Sequence, residues 1–501
     1  MPYRSCDRAP ALAARHLARV TVPMSYARPP FLRSVVASLP LLVALACNRG
    51  SEPPPTTSPA AVDEPASAPT TEAESADETC PSFIGLDVTE LPPLPQTPYT
   101  PTLEKVWVTV LDKHYDPTLN CLDWPAVRQE YGAKLVDAQD EQAAFEIIAQ
   151  MLGRLGQSHL AVVPPRKPVA GEPRAAVKSG NAEVPISVRV IGGEAVVVDP
   201  AKHGGRASGI PGGAALLAVD DHEVATLLET TAKEHSRPVE ASFVARRVIA
   251  SWLSCPTGAS KTLRYQAVGS SKPKTRTIKC RPIEAERVSL GNIKNVPATV
   301  EHRMLPGTKV GYLTFDIWMI PLVPKIETAM AELRAEGMES LVIDLRGNPG
   351  GVGMMVVPVG RQILAEDVDL GQMRMREGKQ VFNITANDDP FTGPVALLVD
   401  EGTASTSEIF GQALQDLGRV TVFGAVPSQG AALPSVIEEL PGGGMLQYVV
   451  ADYQSPGGTI VEGRGVQPDT VVPETREDYA KGRDPVLEAA VAALTNPSET
   501  R

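Results

Sequence analysis

The sequence predicts an α/β protein with a largely parallel sheet, a helical region before it and a β-rich segment between the two. Three observations carry this. From about residue 309, strand-like and helix-like stretches alternate: "KVGYLTFDIW", "VPKIETAMAELRAEG", "SLVIDLRGNPGGVG", a helix over 354–365, "GPVALLVD", a helix over "IFGQALQDLG" and "VTVFG". Apolar strands alternating with helices need a sheet covered on both faces. Residues 100–156 instead place apolar side chains at helical spacing in "LEKVWVTVLDKHY" and "EQAAFEIIAQMLGRLG". Over "VPISVRVIGGEAVVVDP" the period changes to two, as in strands.

The chain has 501 residues, room for about three domains at ~150 residues each. With 43% apolar and 21% charged residues it can bury a sizeable core, and a net charge of −12 excludes nucleic acid as the natural partner. From Met24, which is a second candidate start, Arg28 and Arg33 precede an apolar run ending at Ala46-Cys47. That run has signal-peptide proportions and is short for a membrane span. Small residues before a cysteine mark a lipoprotein-type end, with Cys47 as the lipidated residue; simple cleavage is the alternative, because Ala44 replaces the more usual leucine. Residues 1–47 are therefore read as a signal peptide with a lipobox-like end, and 48–95, rich in Pro, Ser, Thr, Ala and Glu, as a disordered tether. Cys80, Cys121, Cys255 and Cys280 remain in the exported part, and an even number there suggests two disulfides. No pair has the CxxC spacing of a zinc site, so no metal is expected.

The densest chemistry lies in "EGTASTSEIF", residues 401–410. Ser405 and Glu408 fit the S-x-x-E capping box of a helix over "IFGQALQDLG". The same turn exposes a hydroxyl where helix amides favour negative charge, so Ser405 reads either as a cap or as a nucleophile. Between Glu408 and Ala480 there is neither lysine nor histidine, so any base for Ser405 comes from elsewhere in the chain. "DLRGNPGG", residues 344–351, is a glycine-rich turn that satisfies neither the dinucleotide nor the nucleotide fingerprint. It reads as a plain turn or as a place where bare amides meet a substrate carbonyl. The G-x-S-x-G elbow and the H-E-x-x-H zinc helix are absent.

"SGIPGGAALLAVDDHEV" resembles the carboxylate-loop half of a PDZ domain, a peptide-binding module. After it, "GYLTFDIW", "LVIDLRGNPGG", "LLVDEGTASTSEIFGQALQDLGR" and "GRGVQPDTVV" follow in an order that resembles the tail-specific (C-terminal processing) proteases and tricorn protease. "MLGRLGQSHLAVV" and "EKVWVTVLDKHYDPTLNCLDW" resemble the same family's N-terminal helical region. The resemblance implies a ClpP/crotonase-like α/β core and serine-peptidase activity. It implies these parts: an N-terminal helical region over 96–175, an inserted PDZ-like domain over 180–285, an α/β peptidase core over 286–480 and a C-terminal tail over 481–501. The processing branch uses a Ser/Lys dyad, but the turn that would carry its lysine is "VPSQGAA" here, with Gln429 or Gly430 at that place. The tricorn branch implies another set: Ser405 as nucleophile, His159 as base, and Ser158 of "GQSHL" with Glu462 of "TIVEGRGVQPD" as its supports. Glu408 is the alternative acid, or only the capping partner. Amides of Gly350 or Gly351 and of Thr406 would form the oxyanion hole. Cys255–Cys280 within the PDZ-like domain and Cys80–Cys121 are the expected disulfides.

The leading expectation is an exported, lipid-anchored serine endopeptidase of the cell envelope, acting on proteins or peptides without metal or cofactor. Two other classes stay open: an inactive family member that binds peptides or hydrophobic ligands, and an envelope scaffold.

Overall fold

In the computed structural model, residues 80–165, 182–199, 208–290 and 293–496 are described. The signal peptide, Cys47, most of the tether and residues 166–175 of the helical region lie outside them.

The N-terminal part begins earlier than expected. Leu94 is buried, and Phe83, Leu86 and Leu91 pack beside it, so residues 80–95 belong to a folded core and not to the tether. Helices α1 (Thr100–Lys113), α2 (Trp124–Lys134) and α3 (Glu141–Gly153) form that core. Asp123 and Asp140 cap α2 and α3 by accepting the amides of Ala126 and Ala143. Trp107 and Trp124 are fully buried and satisfy each other: each indole N–H donates to the other's backbone carbonyl, at 2.9 and 3.2 Å. The helices are closed by a small antiparallel sheet in which Ala161–Val163 pairs with Met445–Val449, itself paired with Ser435–Glu439. Residues 435–449 were expected in the α/β core, yet Leu440, Leu446 and Tyr448 share the N-terminal core.

The inserted segment is a β-sheet with the order Ser187–Ile191, Glu194–Asp199, Ala215–Val219, Ser260–Gln266, Lys274–Lys279, and His222–Glu223 pairs off its third strand. Helices α4 (Val224–Glu234) and α5 (Pro238–Leu253) interrupt it, and α5 packs its Ala241, Ala245, Ile249 and Leu253 face inward.

The central sheet runs Val300–Met304, Val310–Phe315, Ser340–Asp344, Val395–Leu398, Thr421–Gly424, Thr470–Val471. Only the first pairing is antiparallel. Its strands alternate between two cores. Leu313, Phe315, Leu341, Ile343, Leu397 and Val422 face α6 (Val323–Ala335), α7 (Val356–Gly360) and α8 (Thr406–Asp416). Tyr312, Val342, Ala396, Leu398 and Phe423 face the other way, onto Val486 and Ala490. Those two residues sit on α10 (Pro485–Thr495), which follows the short α9 (Arg476–Ala480). The expected tail over 481–501 therefore contains a helix that covers one face of the sheet. A parallel sheet needs both faces covered, and no other helix does this on that side among the described residues.

The inserted sheet is bolted to this core by buried charge. Arg189 from its edge strand approaches Asp400 at 3.2 Å, Glu401 at 3.4 Å and Glu474 at 2.9 Å. Arg246 from α5 reaches Asp400 at 2.7 Å and Glu401 at 3.3 Å. Burial alone would raise the Asp400 carboxyl, but the two guanidinium groups hold it well below the usual range.

Both expected disulfides, Cys80–Cys121 and Cys255–Cys280, are present. The second closes a loop of 25 residues, and replacing both of its cysteines by alanine should lower the unfolding free energy by roughly 3 kcal/mol. Denaturant titration measures this, and thiol labelling of native protein should leave all four cysteines unmodified. Labelling of all four without denaturation would contradict the pairing.

Candidate active site

Four stretches far apart in the chain meet at the carboxyl ends of the parallel strands, the usual ligand side of such sheets. The first is the turn after Val395–Leu398. Ser405 caps α8 with φ 56° and ψ −121°, a conformation that costs a non-glycine residue about 1–3 kcal/mol. Several bonds hold it there. Its amide donates to Glu408 Oε2 at 2.9 Å and to Ala431 O at 2.8 Å. Gly350 lies so close that a Cβ on it would stand 2.5 Å from Ser405 Cβ, and its φ of +89° also favours glycine.

The second stretch is the glycine turn after Ser340–Asp344. Asn348 knits it to the first: its carbonyl accepts from the Ala404 amide and from Ser407 Oγ, both at 3.1 Å. The Gly350 amide donates to Asn348 Oδ1 at 3.0 Å, so it is already engaged. The amides of Gly351 and Thr406 have no acceptor among the described residues. Gly351 is backed by Trp318, whose amide donates to Gly350 O and whose carbonyl accepts from Val352.

The third stretch is the 157–159 turn, brought over by the N-terminal helices. His159 also has positive φ, 59°. Its Nε2 lies 3.2 Å from Ser405 Oγ, and its Nδ1 lies 2.8 Å from Ser158 Oγ. The fourth is the 461–465 loop. Glu462 Oε2 accepts from Ser158 Oγ and from the Ala432 amide, each at 2.9 Å, and Oε1 accepts from the Ser158 amide at 2.9 Å. Ser405, His159, Ser158 and Glu462 thus form one continuous hydrogen-bonded line, in the order expected from the sequence.

Glu408 does not join that line. Its buried carboxylate accepts from Ser428 Oγ at 2.5 Å, Gly430 N at 2.6 Å and Ala431 N at 2.8 Å, besides Ser405 N. As alternative acid it is corrected: four donors commit it to shaping the 428–431 loop around Ser405, with none of its bonds to His159. Burial nevertheless pushes its carboxyl up to about 7, against those donors. Gln429, where the processing branch would carry lysine, is buried, and its Oε1 has no partner among the described residues. Its backbone carbonyl accepts from Arg237 at 2.9 Å, as does that of Gly463 at 3.0 Å.

Burial also sets the charge states. It pulls the His159 imidazole down to about 4, so the ring is neutral at pH 7. It raises the Glu462 carboxyl, while the Ser158 and Ala432 donors and the Arg237 charge act in the opposite direction.

The chain is similar to known proteins at the level of family and fold. Residues 309–472 match the model of peptidase family S41, and residues 95–153 match the tricorn protease C1 domain. The chain carries a peptidase family S41 domain. With it comes the activity class: the protein is a serine peptidase, a hydrolase. It is similar to a carboxyl-terminal-processing protease of Picosynechococcus sp., 25% identical over 386 residues that cover 75% of this chain and 84% of the relative. A second such protease, from Synechocystis sp., is 24% identical over 394 residues, covering 78% and 85%. Among solved structures, the photosystem II D1 C-terminal processing protease aligns with TM-score 0.51 and 21% identity over 80% of this chain and 98% of that one. Mature CPAF aligns with TM-score 0.55 and 16% identity over 80% and 98%, and both likenesses concern the S41 fold.

Sequence reasoning missed four of the supporting groups in this S41 site: Asn348, Trp318, Ser428 and the Ala432 amide. All four sat in stretches already singled out, Asn348 in "DLRGNPGG", Trp318 in "GYLTFDIW", and Ser428 and Ala432 in "VPSQGAA", but nothing local assigned them these contacts. Ser407 is fully buried between Trp318 Nε1, which donates to it at 2.8 Å, and Asn348 O. Ser407→Ala should therefore lower stability by about 1–3 kcal/mol, the cost of an unpaired buried indole N–H, with turnover by the folded enzyme little changed. Ser405→Ala should do the opposite, keeping the melting temperature and losing peptidase activity. Thermal melts beside assays on a denatured protein substrate separate the two, and cleavage by Ser405→Ala at the wild-type rate would exclude it as nucleophile.

Proposed function

We propose that this chain is an exported serine endopeptidase that cleaves proteins or peptides in the cell envelope by a Ser/His mechanism. The observation that carries the mechanism is the 3.2 Å contact between His159 Nε2 and Ser405 Oγ, within reach for proton transfer. Counting protons along the line supports the direction of transfer. An ionised Glu462 can only accept, so the single hydroxyl proton of Ser158 goes to Oε2. Ser158 Oγ must then accept from His159 Nδ1–H, which leaves the Nε2 lone pair facing Ser405.

In this reading Ser405 Oγ attacks the scissile carbonyl as its proton passes to His159 Nε2. The carbonyl oxygen, now negative, is met by the free amides of Gly351 and Thr406 at the start of α8, where the helix dipole adds to their effect. Collapse of the intermediate breaks the C–N bond, and His159 returns the proton to the leaving amine. Water, deprotonated by the same ring, then hydrolyses the Ser405 ester and releases the acid.

Several features support export. The 24–47 segment has signal-peptide proportions. Two disulfides fit an oxidising compartment. Lipidation at Cys47 would fix the enzyme to a membrane surface. The helical region (96–175), the PDZ-like domain (180–285) and the peptidase core (286–480) are the working parts of this reading.

His159→Ala should reduce kcat/KM by roughly 10³-fold or more. Glu462→Gln should lose less, because the base stays in place without its charge support. Gln429→Lys should not rescue His159→Ala, since the Gln429 site is formed around a buried neutral side chain. Steady-state kinetics on a denatured protein substrate checks all three. Wild-type activity in His159→Ala would make His159 structural and end the Ser/His reading.

A further inference from the structure

The turn that presents His159 is held by a second, buried histidine that the reaction itself does not use. We infer that His114 is a positioning residue for the base, acting through the side-chain amide of Gln157; this rests on the Ser/His reading above.

His114 ends α1 and is fully buried. Its Nε2 lies 2.7 Å from Gln157 Oε1, and the Asp116 amide donates to its Nδ1 at 3.2 Å. An amide oxygen can only accept, so Nε2 carries a proton toward Gln157, while Nδ1 also lies 3.1 Å from the Asp116 carbonyl. The other end of the Gln157 amide is also used. Its Nε2 donates to Tyr115 Oη at 3.2 Å and to Asn120 Oδ1 at 3.4 Å. Asn120 Nδ2 in turn donates to Leu155 O at 2.9 Å. The 114–121 loop therefore grips residues 155–157 from one side, and Ser158 begins the line to Glu462 on the other.

That grip falls on a strained segment. His159 at φ 59° needs surrounding bonds to keep it there. The gripping loop is itself fixed. Leu119, Asn120 and Cys121 are all at positive φ, and Cys121 is tied to Cys80. Arg376 reaches over from the core to donate to the carbonyls of His114 and Leu111, at 3.0 and 2.8 Å. No hydrogen bond runs from this loop to Ser405 among the described residues, and its contribution passes through the placement of His159. A displacement of the base by an ångström is enough to cost on the order of 100-fold.

His114→Ala should lower kcat by about 10- to 100-fold with KM nearly unchanged, and should slow fluorophosphonate labelling of Ser405 in parallel. His114→Gln, whose amide nitrogen reaches about where Nε2 sits, should recover most of both rates. Gln157→Leu, at a partly exposed site, should reproduce in its folded form the kcat loss of His114→Ala. The proposal is overturned if Gln157→Leu keeps wild-type kcat, or if His114→Gln is no better than a folded His114→Ala. His159→Ala, measured alongside, tells the two failures apart. If it is inactive while the His114 and Gln157 variants are fully active, only the positioning role falls. If it is fully active, the base assignment falls and this proposal falls with it.

Discussion

The Glu462 carboxylate is the contact on which the rest of the site depends. It joins residues 304 positions apart by accepting both the amide and the hydroxyl of Ser158, and it ties down the 432 region as well. No local propensity could place His159 against Ser405. The N-terminal helices, the small sheet that pairs Ala161–Val163 with Met445–Val449, and the Glu462 loop must all be seated first. The site is therefore a property of the completed fold, with Ser405 from one part and His159 from another.

Two kinds of stored cost surround it. Ser405 and His159 hold backbone conformations that favour glycine, and Glu408 and Asp400 are buried carboxylates. Each is stabilised by an excess of partners. Glu408 has four donors, while Asp400 has two arginines and the amides of Gly347 and Gly402. Removing one partner of a buried pair typically costs more than the pair itself contributes, because the other charge is left behind. The inserted domain is thus attached to the strand end that leads into Ser405 through charges that neither side can give up alone. Arg237, between the carbonyls of Gln429 and Gly463, extends the same attachment to the two loops beside Glu462.

Much of this was legible in the sequence where the signal was local. Alternating apolar strands and helices gave the central sheet, and the even cysteine count gave both disulfides. The order of separated motifs pointed to Ser405, His159, Ser158 and Glu462, and the structure brings these four together. Where the signal was non-local, it failed. The S-x-x-E pattern shows that Glu408 can cap α8, but not that Ser428 and the 430–431 amides would fill its remaining lone pairs. Composition made 80–95 look like tether, although Leu94 reaches a core made by helices that follow it. The last residues read as a tail because nothing local shows that one face of the sheet still needed α10. Gly350 was indistinguishable from Gly351 until Asn348 was seen to take its amide.

The central claim is that a neutral histidine, not a lysine, activates Ser405. The most direct test is the rate of fluorophosphonate labelling at Ser405 as a function of pH. Protonation silences a histidine base, and burial holds His159 below its ordinary value, down to about 4. The rate should therefore be level from neutral pH to below about 6.5, the usual histidine pKa, and fall in a single step only in more acid solution. A lysine base would give a rate that keeps rising through the alkaline range toward about 10, and such a profile would contradict the account.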